Sequence, residues 1–274
     1  MRVAIIGCGY VGTAVARHWR QDLGLVVTAT TTRSERATEL EAVAARVSVA
    51  KGDDAAALVS VLQDTDTVLL SVGARSANAY EETYLRTAET LVKVLEQSPS
   101  VQQLIYTGSY AVYGDRDGAW VDEDTPVAPA NRNGEILWNT EQVLLAAASD
   151  RKRVCIFRLG GIYGPGRELV KIFRHVAGTT RPGTGEDFTN WIHRDDIVSA
   201  VEFAQNKRLQ GIYNLVNNVP LTSRELLSRL CERYGLAQVS WDRSAPQVRP
   251  YNARVSNQKL KAAGYQFIHP ETIV

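Results

Sequence analysis

The stretch Val3-Ala4-Ile5-Ile6-Gly7-Cys8-Gly9-Tyr10-Val11-Gly12 decides how the rest of the chain reads. Four aliphatic residues in a row, closed by glycine, mark a short buried strand. Glycines spaced as GxGxxG follow at once, and Val11, Val15 and Trp19 then recur at helical spacing. The motif is informative only where a strand leads into it and a helix leads out, and both conditions hold here. Gly7 allows the tight turn, Gly9 lets the backbone reach a pyrophosphate, and Gly12 lets helix and strand pack closely. The helix that opens with Tyr10 and Val11 offers N–H groups and a partial positive charge to phosphates. The expectation is a dinucleotide held by Gly7, Gly9, Tyr10, Val11 and Gly12.

Further along, the same alternation repeats. Strand-like runs fall at Leu25–Ala29, Arg46–Val49, Thr67–Ser71, Leu104–Tyr106, Val154–Phe157 and Ile212–Leu215. Between them lie helical stripes, one with Leu58, Val61 and Leu62 and another with Tyr84, Ala88, Leu91, Val92 and Leu95. Strands alternating with helices require parallel pairing through crossover connections. The class expected is α/β, a Rossmann-type doubly wound parallel sheet with a smaller C-terminal substrate lobe. Glycine and proline become dense after Arg158, at Gly160-Gly161, Gly164-Pro165-Gly166 and Pro182-Gly183-Thr184-Gly185. The dinucleotide domain is therefore placed at residues 1–158, with 196–220 returning to it, and the smaller lobe at 159–195 and 221–274.

About 20 residues past the glycines, an NAD-binding domain usually carries a carboxylate for the adenosine ribose. This chain has Thr30-Thr31-Thr32-Arg33-Ser34 instead. A guanidinium among hydroxyls suits a 2′-phosphate, which selects NADP(H) over NAD(H) with Thr31, Thr32 and Arg33 as contacts. Asp53, after the third strand, either accepts a bond from the adenine amino group or caps the next helix. The turn Ser71-Val72-Gly73 should run beneath the nicotinamide half of the cofactor, with Thr107 and Leu159 beside it.

Several later motifs resemble the NAD(P)-dependent epimerase/dehydratase family, the extended branch of the short-chain dehydrogenase/reductases. They are Thr107-Gly108-Ser109-Tyr110-Ala111-Val112-Tyr113-Gly114, Arg158-Leu159-Gly160-Gly161-Ile162-Tyr163-Gly164-Pro165-Gly166, and Ile192-His193-Arg194-Asp195-Asp196. Gly211-Ile212-Tyr213-Asn214 and Ser256-Asn257-Gln258-Lys259-Leu260 match smaller landmarks. The resemblance implies that Ser109 occupies the catalytic serine/threonine position, and that two helices per subunit serve as a homodimer surface. It also implies a Tyr-x-x-x-Lys pair, whose lysine lowers the phenol's pKa for proton transfer. Matching Glu141-Gln142 to the family places Asn133 and Leu137 at those two positions. Neither transfers a proton, so the chain looks like an atypical subgroup, with Tyr113 the tyrosine that could substitute.

Formal net charge is +1 from 31 basic and 30 acidic residues, which gives no electrostatic reason to expect nucleic acid. No apolar run reaches the ~18 residues that span a bilayer, so membrane is not an expected partner. Cys8, Cys155 and Cys231 are scattered and form no CxxC pair, consistent with reduced thiols and a cytoplasmic protein. His18, His175, His193 and His269 show no metal-ligand spacing, and no metal is expected. Trp120, Trp138, Trp191 and Trp241 read as packing residues. Arg158 and Arg167 read either as anchors for a phosphate-bearing substrate or as surface or lobe-bridging residues. Two functions stay open: an NADP(H)-dependent oxidoreductase or epimerase-like enzyme on a small polar substrate, perhaps a nucleotide sugar, and a non-catalytic NADP(H) sensor. The retained Ser109 loop favours the first, Asn133 and Leu137 the second.

Overall fold

The computed structural model describes residues 1–246 and 251–274, so 247–250 of the expected second lobe lie outside the described residues. Two compact units emerge. The first comprises Met1–Ser109, Arg132–Arg158 and Ile197–Tyr213; the second comprises Tyr110–Asn131, Leu159–Asp196 and Asn214–Val274.

The central sheet has seven strands: β1 (Arg2–Ile6), β2 (Val26–Thr31), β3 (Arg46–Val49), β4 (Thr67–Leu70), β5 (Gln103–Ser109), β6 (Arg153–Leu159) and β7 (Gly211–Leu215). Their order is β7-β6-β5-β4-β1-β2-β3, a parallel doubly wound arrangement. Chain order reverses beside β1, whose residues pair with β2 on one side (Val3↔Val27) and β4 on the other (Val3↔Thr67). Such a switch point leaves a crevice at the carboxyl ends of the strands, where α/β sheets bind ligands.

The strands at the centre of the sheet are buried on both faces, which is why they read as unbroken aliphatic runs rather than alternating ones. The flanking helices are α1 (Tyr10–Arg17), α2 (Ala37–Glu41), α3 (Ala55–Leu62), α4 (Thr87–Glu96), α5 (Arg132–Leu145) and α6 (Arg194–Lys207). Leu58, Val61, Leu62, Leu91 and Leu95 from α3 and α4 pack with Ala4, Val68, Leu104 and Ile156 of the sheet. Two helical stripes are wider than the 3.6 period suggests. His18–Asp22 and Glu81–Arg86 are π-helical turns, and the first brings Trp19 to 0% exposure.

In the second unit the strands are short and paired in twos: Gly161–Tyr163 with Trp191–His193, Phe188–Thr189 with Leu221–Thr222, Thr180–Pro182 with Ser240–Asp242, and Trp120–Val121 with Arg254–Val255. The helix Ser223–Tyr234 starts at a capping box made by Thr222 and Glu225 and ends at Gly235 in the left-handed conformation. Tyr110–Asn131, expected with the first unit, cluster instead with the second. The reason is apolar: Tyr110, Tyr113 and Val121 pack with Val216, Ala253 and Val255. Trp120 and Trp138 are exposed rather than packed inside, and the Arg254 guanidinium lies over the Trp120 ring.

His18 links the first π-turn to α6. Its Nδ1 lies 2.7 Å from Asp22 Oδ2 and its Nε2 lies 2.7 Å from Glu202 Oε2. Burial works against the charged ring, but the carboxylates of Glu202 and Asp22 outweigh it, and the net effect raises the pKa above 6.5. A group stabilised in its protonated folded form contributes fully below its unfolded pKa and loses that contribution as pH rises through the folded value. The melting-temperature gap between wild type and His18→Gln should therefore be widest near about pH 5.5 and close toward about pH 8.5. A gap that stays constant over that range would exclude the linkage.

Candidate active site

The glycine turn is shaped by its own backbone. Gly7 has φ of +93°, and a Cβ there would stand 2.6 Å from the Ser71 carbonyl oxygen. A Cβ on Gly12 would stand 2.5 Å from the Gly7 carbonyl oxygen. Both distances are far inside van der Waals contact, so packing alone forbids a side chain at either position. Gly9 differs, because a Cβ there would meet nothing within 4 Å. It is the N-cap of α1, no side chain caps that helix end, and the first turn carries no acidic residue. The space over Gly9 is left open by the protein, and the helix dipole behind it favours an anion.

Neighbouring strand ends hold the turn in place. The Gly7 amide donates to Thr30 Oγ1 at 3.0 Å, and the Cys8 amide donates to the Thr30 carbonyl at 2.9 Å. Thr107 Oγ1 donates to Ser71 Oγ at 3.1 Å, which ties the end of β5 to the end of β4. Gly7, Ser71, Val72 and Thr107 thus meet at one edge of the sheet. Burial pushes the Cys8 thiol up to about 12, against the pull of Arg36, so it stays a neutral thiol.

At the end of β2, Thr31 is buried while Thr32 and Arg33 are exposed. Arg33 keeps a guanidinium 3.8 Å from Glu35, and its amide donates to Thr31 Oγ1 at 3.2 Å. Sequence reasoning missed Arg36. Its guanidinium donates to the Cys8 carbonyl at 2.5 Å and to Thr13 Oγ1 at 3.3 Å, and pairs with Glu39 at 3.1 Å. A second arginine one turn past the first was the available signal. The Glu39 carboxyl is held low mainly by its bond to Arg36, with Arg33 and Arg17 adding to the effect. Three guanidiniums therefore act on the Glu39 carboxylate, and one of them, Arg36, also bonds the glycine turn.

Asp53 is exposed in the turn after β3. It is not the helix cap: Asp54 caps α3 by accepting the Ala57 amide at 3.0 Å. Ser109 ends β5, half-buried, as the last residue of the first unit. Leu159 is buried at the end of β6 and begins a stretch of the second unit. Tyr113, also in the second unit, is fully buried, and its hydroxyl donates to Asn214 Oδ1 at 2.9 Å. On α5, Asn133 and Leu137 sit one turn apart, half-buried and buried respectively.

Arg158 is not an exposed anchor for a phosphate. It forms a bidentate pair with Glu141, Nε to Oε1 at 3.0 Å and Nη2 to Oε2 at 2.7 Å, with side chains 2% and 1% exposed. The pair ties α5 to β6. Arg167 is exposed and closes a turn through backbone bonds with Gly164.

A doubly wound sheet with a glycine turn at its switch point is the architecture of dinucleotide-binding domains. The family model for the NAD dependent epimerase/dehydratase family matches residues 3–216, and the chain belongs to that family. It is 32% identical over 225 residues to Protein YeeZ of Escherichia coli K12, covering 78% of this chain and 77% of that protein. A functionally unknown conserved protein from Silicibacter pomeroyi has the same fold, with TM-score 0.78 and 23% identity over 99% of this chain and 95% of that one. UDP-glucuronic acid 4-epimerase of Bacillus cereus, solved with UDP-glucuronic acid and NAD, superposes with TM-score 0.78 at 17% identity, over 96% and 92% of the two chains. Among the described residues no helix is long and apolar enough to cross a membrane.

A dry, paired arginine implies a specific energetic result. Glu141→Leu leaves the Arg158 charge without its carboxylate and should cost about 3–5 kcal/mol, whereas adding Arg158→Met should recover most of that loss. Urea midpoints measure both. A single-variant loss below ~1 kcal/mol would mean the pair carries little of the stability.

Proposed function

We propose that the chain is an NADP(H)-dependent oxidoreductase of the epimerase/dehydratase type, acting on a small polar substrate such as a nucleotide sugar. One observation carries the cofactor half of this reading: Gly7 and Gly12 are dictated by the protein's own packing, while Gly9 opens on space that no protein atom fills. A diphosphate lying over Gly9 would accept from the opening turn of α1, with Tyr10 and Val11 alongside. The 2′-phosphate would fall to Thr31, Thr32 and Arg33, supported by the charge of Arg36 and Arg17. Asp53 would face the adenine. Ser71, Val72, Gly73, Thr107 and Leu159 would line the nicotinamide half.

The cofactor supplies hydride exchange when bound. The chain's own part is to orient it, exclude water, and hold the reacting oxygen, a role given to the Ser109 hydroxyl at the end of β5. Tyr113 would act as proton donor only after its hydroxyl leaves Asn214, so its resting bond holds the acid in reserve. The second reading, a non-catalytic NADP(H) sensor, is favoured by Asn133 and Leu137, neither of which can transfer a proton from its place on α5.

Titration of NADPH and NADH against tryptophan fluorescence tests the cofactor assignment. NADPH should bind tighter, and Arg33→Ala should weaken NADPH by roughly tenfold or more while leaving NADH unchanged. An unchanged NADPH constant in that variant removes Arg33 from the site. Deuteride transfer from labelled NADPH into aldehydes and keto-sugar nucleotides, and from carbon-deuterated sugar-nucleotide alcohols such as UDP-glucuronic acid into NADP⁺, separates the two functions: cofactor binding without any transfer leaves the sensor.

A further inference from the structure

The sequence spacing of the histidines suggested no metal, yet folding of the second unit brings two of them to one carboxylate. We propose that His193, Asp195 and His269 bind one borderline divalent transition-metal ion of the Zn²⁺ kind, which staples the chain around His269 to the strand Trp191–His193. One ligand atom from each of the three residues lies within 4.8 Å of the others. Asp195 Oδ2 is 3.7 Å from His193 Nδ1 and 3.9 Å from His269 Nε2. The two imidazole centroids are 3.9 Å apart. Tetrahedral zinc with bonds of about 2.0–2.1 Å separates its ligand atoms by about 3.3 Å. The two carboxylate–imidazole separations must shrink by about 0.4–0.6 Å and the widest pair, within 4.8 Å, by up to about 1.5 Å, movements that side-chain rotation supplies.

The surroundings orient the ligands as a built site would. His193 is held in strand register opposite Tyr163, whose ring stands edge-on to the imidazole at 5.1 Å. Asp196 accepts the amides of Ile268 at 2.7 Å and His269 at 3.1 Å, and Asn217 Nδ2 donates to the His269 carbonyl at 2.6 Å. Both peptide groups flanking the His269 side chain are thereby fixed. Arg194 lies 3.6 Å from Asp195 Oδ1, the other carboxylate oxygen, which leaves Oδ2 for the imidazoles. The Asp195 amide donates to His193 Nδ1 at 3.2 Å, so that nitrogen carries its lone pair rather than a proton, and a metal has to displace one long backbone bond to take it.

Donor chemistry selects the ion. Two imidazoles and one carboxylate suit zinc, cobalt or nickel, whereas magnesium and calcium require more oxygen ligands. Three protein ligands leave at least one position to water. Asp195 is 45% and His269 25% exposed in their side chains, so the ion can enter from solvent.

The test uses the full chain, tag removed and chelator-treated, with ZnCl₂ as the probe in calorimetry and thermal melts. One saturable equivalent should bind with a micromolar or tighter constant, and the melting temperature should climb with zinc concentration. Asp195→Ala and His269→Ala should each weaken binding tenfold or more and abolish the thermal shift, while the exposed His175→Ala changes neither. Cobalt should give visible absorption bands in wild type that both ligand variants lose, and MgCl₂ should give no heat. Should His269→Ala fail to fold, Asp195→Asn, at a half-exposed position, decides the matter. Absence of saturation at millimolar zinc, or undiminished affinity in the Asp195 variants, overturns the site. Neither result depends on pyridine-nucleotide binding, so the cofactor assignment stands or falls separately.

Discussion

Where β1 ends, three pieces of backbone converge with no room for a side chain. The Ser71 carbonyl and the Gly7 carbonyl each occupy the place where a Cβ would sit, on Gly7 and Gly12 respectively. This crowding lets α1 begin almost on top of the sheet, so its dipole starts at the carboxyl edge of β1 and β4 rather than several ångströms away. Replace either glycine and strand, turn and helix must separate. The contact lies at the switch in strand order, beside the Ser71–Thr107 bond and the open space over Gly9.

The two units use different means to become rigid. In the first, long aliphatic strands and two-sided burial suffice, with one buried ion pair fixing α5 to β6. Among its described residues the second has two-residue and three-residue strand pairs, and its order comes from polar side chains that act as backbone substitutes. Asn190 accepts the Val255 amide and donates to the Ala253 carbonyl, Asn257 donates to the Val216 carbonyl, and Asp196 gathers two amides and the Tyr265 hydroxyl. Such a unit satisfies its loops with buried Asn and Asp where ladders are too short to do so.

These means also explain what could be read in advance. The strands and the glycine turn are local signals, because aliphatic runs and glycine spacing act over a few residues, and β1 to β7 fall where those signals lie. The π-turn at His18–Asp22 was invisible because Val11, Val15 and Trp19 give the same stripe for either helix type. Asp53 and Asp54 are chemically identical neighbours, and only the helix start decides which one caps. Arg33 was singled out by its distance from the glycines, whereas Arg36 contacts the loop through a fold-back that no linear spacing encodes. The placement of Tyr110–Asn131 rests on contacts with residues after 215, again a long-range matter.

Arg36 joins the segment after β2 to the start of α1. Its guanidinium grips the Cys8 carbonyl and Thr13 while sharing a neighbourhood with Arg33. The segment that would choose between cofactors is therefore also a brace for the segment that would hold them. A substitution that moves Arg36 would therefore also loosen the glycine turn, because the end of β2 and the start of α1 share one strut.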